Sequence, residues 1–116
     1  MNNNKYILHK ELAAGKWFKY SLVEQLANVG VDIERCIKWK NQGDLQASKA
    51  AFERALDLLY ITVEDAKNKH RLREVLRMRE ALIDHFVYDN EYNTTDEQWQ
   101  KYFYQLNYAA AMQKGR

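Results

Sequence analysis

The sequence predicts an all-α fold, an antiparallel four-helix bundle with a short N-terminal arm or helix. Three observations carry this expectation. Apolar residues recur at helical spacing in four separate stretches. The connections between those stretches are short and polar. The 116 residues include no proline and only four glycines. A β-sandwich needs turn residues at short intervals, and a disordered chain has few apolar residues. Here 47% of residues are apolar, enough for one core.

The first stretch runs from about Lys19 to Gln42. Leu22, Leu26, Val29, Ile33 and Ile37 follow one another at steps of three or four. Gly30 lies beside this stripe, next to Ala27. It predicts close approach of a neighbouring helix, because glycine otherwise costs about 1 kcal/mol against alanine in a helix interior. Gly43 fits the position just past a helix end, and Asp44 fits an N-cap. A second helix then extends to about Asp65, with Leu45, Phe52, Leu56, Leu59 and Val63 on one face. Glu53, Asp57 and Glu64 lie on another. Ala66 to His70 reads as a turn. A third helix runs from about Arg71 to Tyr88 with an apolar face of Leu72, Val75, Leu76, Leu82, Ile83 and Phe86. Tyr88 to Asn93 reads as a loop. Thr94 and Thr95, each with Glu97 or Gln98 three residues on, are capping-box candidates for a fourth helix. Trp99, Phe103, Leu106 and Ala110 form its inner face. Residues 1–16 are expected as the arm or short helix, and 17–116 as a single helical-bundle domain. Asn41 to Leu58 resembles half a tetratricopeptide repeat, but no stacked units of fixed period accompany it.

Composition narrows the function classes. No apolar run approaches the roughly 18 residues of a membrane helix, and the N-terminus lacks the apolar stretch of a secretory signal. The single cysteine, Cys36, excludes an internal disulfide and suits a reducing cytosol. A cytoplasmic protein is expected, with no membrane association. No His-Glu-x-x-His motif, cysteine pair at metal spacing or glycine-rich phosphate loop occurs, so neither metal nor cofactor is expected. Cys36 projects near the apolar arc of its helix and reads as a small buried thiol.

Three features stand apart from the bundle pattern. Arg79 falls at the centre of the third helix's apolar arc, where a buried arginine needs a partner carboxylate. Charge is also segregated. Lys67 to Arg79 holds six basic residues against Glu74 alone, while Asp84 to Glu97 holds five acids and no lysine or arginine. Cations at a helix start oppose its macrodipole. They are expected to pair with the Glu53, Asp57, Glu64 face, or else to form a phosphate-binding patch that includes Arg73 and Arg77. Finally, eight tyrosines, three tryptophans and four phenylalanines exceed what four apolar stripes require. Trp39, Tyr104 and Tyr108 project away from the stripe centres and are candidates for an interface.

The stretch Leu76-Arg77-Met78-Arg79-Glu80-Ala81-Leu82-Ile83-Asp84-His85-Phe86 resembles the signature of HEPN domains (higher eukaryotes and prokaryotes nucleotide-binding). These are small, usually dimeric helical bundles, and many are metal-independent ribonucleases of toxin–antitoxin or defence systems. The resemblance covers about a dozen residues. It implies Arg79 and His85 as the catalytic positions, the arginine binding phosphate and the histidine acting on a ribose hydroxyl. RNA or a nucleotide would then be a partner. Glu80 stands where the family commonly has a polar residue, usually Asn. Six residues place His85 about 120° from Arg79, so the pair would converge only through a helix break or a dimer contact.

Two functions therefore compete. One is a non-enzymatic interaction module that self-associates as a homodimer or takes a protein partner through Trp39, Tyr104 and Tyr108. The other is a HEPN-type ribonuclease or nucleotide-binding protein.

Overall fold

The structure, a computed structural model, describes residues 15–115. It contains four long helices and one short 3-10 helix, with no strand among the described residues. The expected N-terminal arm falls outside the described residues except for its last two. Just after them Trp17 is buried.

Helix α1 spans Leu22–Asn41. Ser21 starts it with a capping box: its Oγ accepts from Glu24 N at 3.2 Å, and its own N donates to Glu24 Oε1 at 2.9 Å. These bonds satisfy two backbone donors that a helix start otherwise leaves unpaired. Lys38 and Lys40 occupy the last turn, where they complement the macrodipole. Gly43 then adopts φ 83°, a left-handed conformation that a side chain disfavours. Asp44 caps α2, Leu45–Glu64, by accepting from Ala47 N at 3.0 Å.

The expected turn after α2 is an ordered 3-10 helix, Ala66–Arg71, whose N-terminus Asp65 caps. Helix α3, Leu72–Phe86, follows without a side-chain cap. The next loop is pinned from behind. Asp84 accepts from Glu91 N and Tyr92 N at 2.9 and 3.1 Å, while Asn90 and Asn93 take positive φ. Helix α4, Asp96–Lys114, begins at the Thr95–Gln98 capping box, so Thr95 rather than Thr94 is the cap.

Helix α1 lies at the centre and packs on both α2 and α4, while α3 packs on α2. Partner numbers show that α1 runs opposite to its neighbours. Cys36 meets Ser48 and Asp32 meets Arg54 on α2; Lys40 meets Asp96 and Ser21 meets Gln113 on α4. The α1 stripe fills the core as expected, with Val29, Ile33 and Ile37 almost inaccessible. Gly30 sits against Phe103 so closely that an added Cβ would lie 2.7 Å from the ring.

Two expectations change. In α2, Leu45 is 69% exposed, whereas Ala51, Leu58 and Ile61 are buried. The buried arc is wider than one stripe because α2 packs between α1 and α3. In α3, Val75, Met78 and Leu82 are the buried residues. Arg79 is half-buried, not core, and none of the ion pairs among the described residues includes it. It lies at the rim of the arc, where a long side chain can bury its stem and keep its charge near water.

Candidate functional site

One polar cluster surrounds His85, at the end of α3. Trp99 Nε1 donates to Thr94 Oγ1 at 3.1 Å, Thr94 Oγ1 lies 2.9 Å from His85 Nδ1, and His85 Nε2 lies 2.7 Å from Asp96 Oδ1. Lys40 Nζ completes the chain at 2.7 Å from Asp96 Oδ2. Thr94 Oγ1 accepts from Trp99, and its one proton has two acceptors within reach, His85 Nδ1 at 2.9 Å and Asn90 Oδ1 at 3.3 Å. Burial works to raise the Asp96 carboxyl, but hydrogen bonds from Lys40 and His85 outweigh it and hold the group below its ordinary value. The His85 side chain is only 8% exposed. Both ring nitrogens are therefore engaged within the protein.

Arg79 is not joined to this cluster by any hydrogen bond or ion pair among the described residues. Lys40 instead lies over the Phe86 ring, 5.4 Å from its centroid. The sequence pattern identified His85 but not Thr94, Asp96 or Lys40. The Thr94-Thr95 doublet was the available signal, since one threonine is left over once the other caps α4. Cys36 is buried beside Ser48, 3.3 Å away, and burial raises its thiol above the usual range. A thiol of this kind is a poor nucleophile.

A second polar cluster fastens the other end of α1. Gln25 is fully buried. It donates to Trp17 O at 3.0 Å and to Asp65 Oδ2 at 2.9 Å, and it accepts from Asn68 Nδ2 at 2.8 Å. Trp17 Nε1 donates to Thr62 Oγ1 at 3.1 Å. Lys67 reaches both Asp65 and Phe18 O. Every bond in the cluster is internal, and it serves as a clip.

The open concavity lies between α1 and α4. It encloses about 800 Å³ over a floor that includes Ala27, Gly30 and Phe103, with Val31 and Tyr104 on its walls. A smaller hollow of about 260 Å³ continues it toward Tyr20 and Lys114, sharing Ala27, Val31 and Asn107. Gly30 lets the two helices approach closely at this floor. Val31 is 50% exposed, Tyr104 70% and Tyr108 61%. Tyr108 lies one turn along α4 from Tyr104. Trp39, 36% exposed, is about 80° around α1 from Val31 and does not line the furrow.

The basic residues divide into two groups. Lys67 pairs with Asp65 and Arg71 with Glu74. Lys69, Arg73 and Arg77 are exposed, and no ion pair among the described residues includes them or Glu53. The expected pairing with the Glu53 face is therefore not formed by these three. Among the described residues no group of three or more His, Cys, Asp or Glu side chains could hold a metal ion. No described helix is long and apolar enough to cross a membrane. No family model matches the chain, and neither a curated protein nor a solved structure does.

Proposed function

We propose that this chain is a non-enzymatic interaction module of the cytoplasm that self-associates as a homodimer through the outward face of α1 and α4. The observation that carries the proposal is the furrow, with Val31 and Tyr104 exposed along an apolar floor. Large rings held in water on a rigid helix bind at low entropic cost, because few rotors must be fixed. Identical chains most often pair about a twofold axis, which sets one copy of such a face against the other. Tyr108 extends the face along α4, and Trp39 flanks it on α1. The ribonuclease alternative is less well supported, because the His85 nitrogens are bound to Thr94 and Asp96 and the ring is buried.

Sedimentation of the full chain at micromolar concentration tests the proposal. A species of twice 13.9 kDa is expected, reverting to one chain when Tyr104 and Tyr108 are both replaced by Glu. Unchanged helical circular dichroism would show that the variant still folds. A single-chain mass at every concentration would refute self-association. RNA cleavage in the presence of a metal chelator, lost in Arg79→Ala, would move the assignment to the HEPN-type ribonuclease.

A further inference from the structure

The outer face of α3 has a different character from the furrow. Lys69, at the end of the 3-10 helix, is followed by Arg73 and Arg77 at steps of four. At 1.5 Å per residue Arg73 and Arg77 lie about 6 Å apart along one face of α3, with Lys69 just before its start. All three are exposed and none has a carboxylate partner among the described residues. Neither hollow described above includes them. The stripe ends at Glu80, one turn beyond Leu76.

Such an arrangement has an energetic disadvantage in the isolated protein. Cations in the first turns of a helix face the positive end of its macrodipole. At α3 no side-chain cap offsets this. Like charges four residues apart on a helix repel by a few tenths of a kcal/mol per pair. A polyanion lying along the face would remove both penalties.

We infer that Lys69, Arg73 and Arg77 form a binding stripe for the phosphate backbone of a nucleic acid, contacted without base recognition. Two observations favour phosphates over an acidic protein. A protein interface is built on a buried apolar centre, and Leu76 is the one exposed large hydrophobic residue within the stripe. Backbone binding needs no such centre and is driven by charge neutralisation with release of counterions. Two of the three cations are arginines, whose planar fork fits phosphate oxygens in pairs. The stripe requires neither Arg79 nor His85, and no reaction is assigned to it.

The test is fluorescence anisotropy of a labelled mixed-sequence DNA duplex titrated with the full chain at low salt, repeated as salt is raised. Three phosphate contacts predict a log–log salt slope of about −2.7 for one bound chain. Each single replacement, Lys69→Gln, Arg73→Gln or Arg77→Gln, should reduce that slope by about 1. Lys69→Glu, Arg73→Glu and Arg77→Glu combined should abolish binding with helical circular dichroism unchanged. Lys49→Glu, exposed on α2 and outside both the furrow and the stripe, should leave duplex binding as it was. No binding at low salt would overturn the inference, as would equal binding by the triple variant. Displacement of the duplex by polyglutamate as readily as by unlabelled duplex would show a face for acidic protein instead. Sedimentation of the triple variant separates this inference from the homodimer: a dimer that no longer binds duplex upholds both.

Discussion

Replacing Gly30 with alanine tests the packing that creates the α1–α4 furrow. The added Cβ would lie 2.7 Å from Phe103 Cδ1 and 2.8 Å from both Cβ and Cγ of the same residue. Carbon atoms settle at about 3.5–4.0 Å, so the two helices must separate by nearly an ångström, or Phe103 must move by that much. A rotamer change cannot relieve the contact with Phe103 Cβ, which is fixed to the α4 backbone. Overpacking of this kind costs about 1–3 kcal/mol, and the immovable contact places it at the upper end. Alanine also stabilises a helix interior by about 1 kcal/mol relative to glycine. The packing effect wins, leaving a net loss of about 2 kcal/mol. Urea unfolding followed by circular dichroism would show this as a midpoint about 1 M lower, for an m-value of about 2 kcal/mol/M. In a Phe103→Ala background the ring atoms are gone but Cβ remains. The cost of Gly30→Ala should then shrink without vanishing, a coupling of about 1 kcal/mol. A Gly30→Ala protein as stable as the parent, or more so, would refute the close approach.

Two further perturbations check the polar structure. Arg79→Ala should change unfolding free energy by less than about 1 kcal/mol, because no carboxylate is stranded; a loss near 3 kcal/mol in urea unfolding would reveal a buried ion pair. Asp65 and Asp96 are both held below their ordinary value of 3.8. In Asp65 burial acts upward and the bonds from Lys67 and Gln25 overcome it. A folded-state value below the unfolded one gives stability that is present above the unfolded value and lost as pH falls through the folded one. The urea midpoint should therefore stay level between about pH 7 and pH 5 and fall below about pH 4. Asp65→Asn should be less stable at neutral pH and show a shallower acid fall; an acid limb as steep as the parent's would contradict the assignment.

The elements with one packed side were the most legible in sequence. In α4, Trp99, Phe103 and Ala110 are buried as their spacing indicates. The glycine turn and the Asp44 cap were equally readable, because both signals are local. In α2 the single apolar stripe is narrower than the buried face, since contact with two helices broadens that face. In α3, leaving Met78 out of the apolar set moved the inferred centre toward Leu76 and Ile83. The buried trio Val75, Met78 and Leu82 lies about 60° away from Arg79, so the arginine sits at the rim. The polar clusters were hidden for another reason. Gln25 is far in sequence from Asp65 and Asn68 and carries no periodic signature, so only the folded chain brings them together. The exposure of Tyr104 and Tyr108 was legible, but the furrow beside them depends on the depth set by Gly30 and Phe103.

The positions of the two polar clusters bear on how α1 is held in register. Gln25, near its start, is tied to Trp17, Asp65 and Asn68, all in or beside the junctions at the ends of α1 and α2. Lys40, near its end, is tied through Asp96 to His85, Thr94 and the start of α4. Between them the packed faces of α1 are largely aliphatic, and aliphatic contacts tolerate sliding better than directional bonds do. Sliding α1 by one turn would move it about 5.4 Å. It would strand the Gln25 amide in the core and separate Lys40 from Asp96, each at a cost of about 1–3 kcal/mol. Both ends would lose their bonds together, so a shifted register is opposed twice. The remaining face of α1, bearing Val31, Glu34, Arg35 and Lys38, takes no part in either clip and lines the furrow. That separation leaves the proposed contact face open to substitution without disturbing the bonds that place the helix.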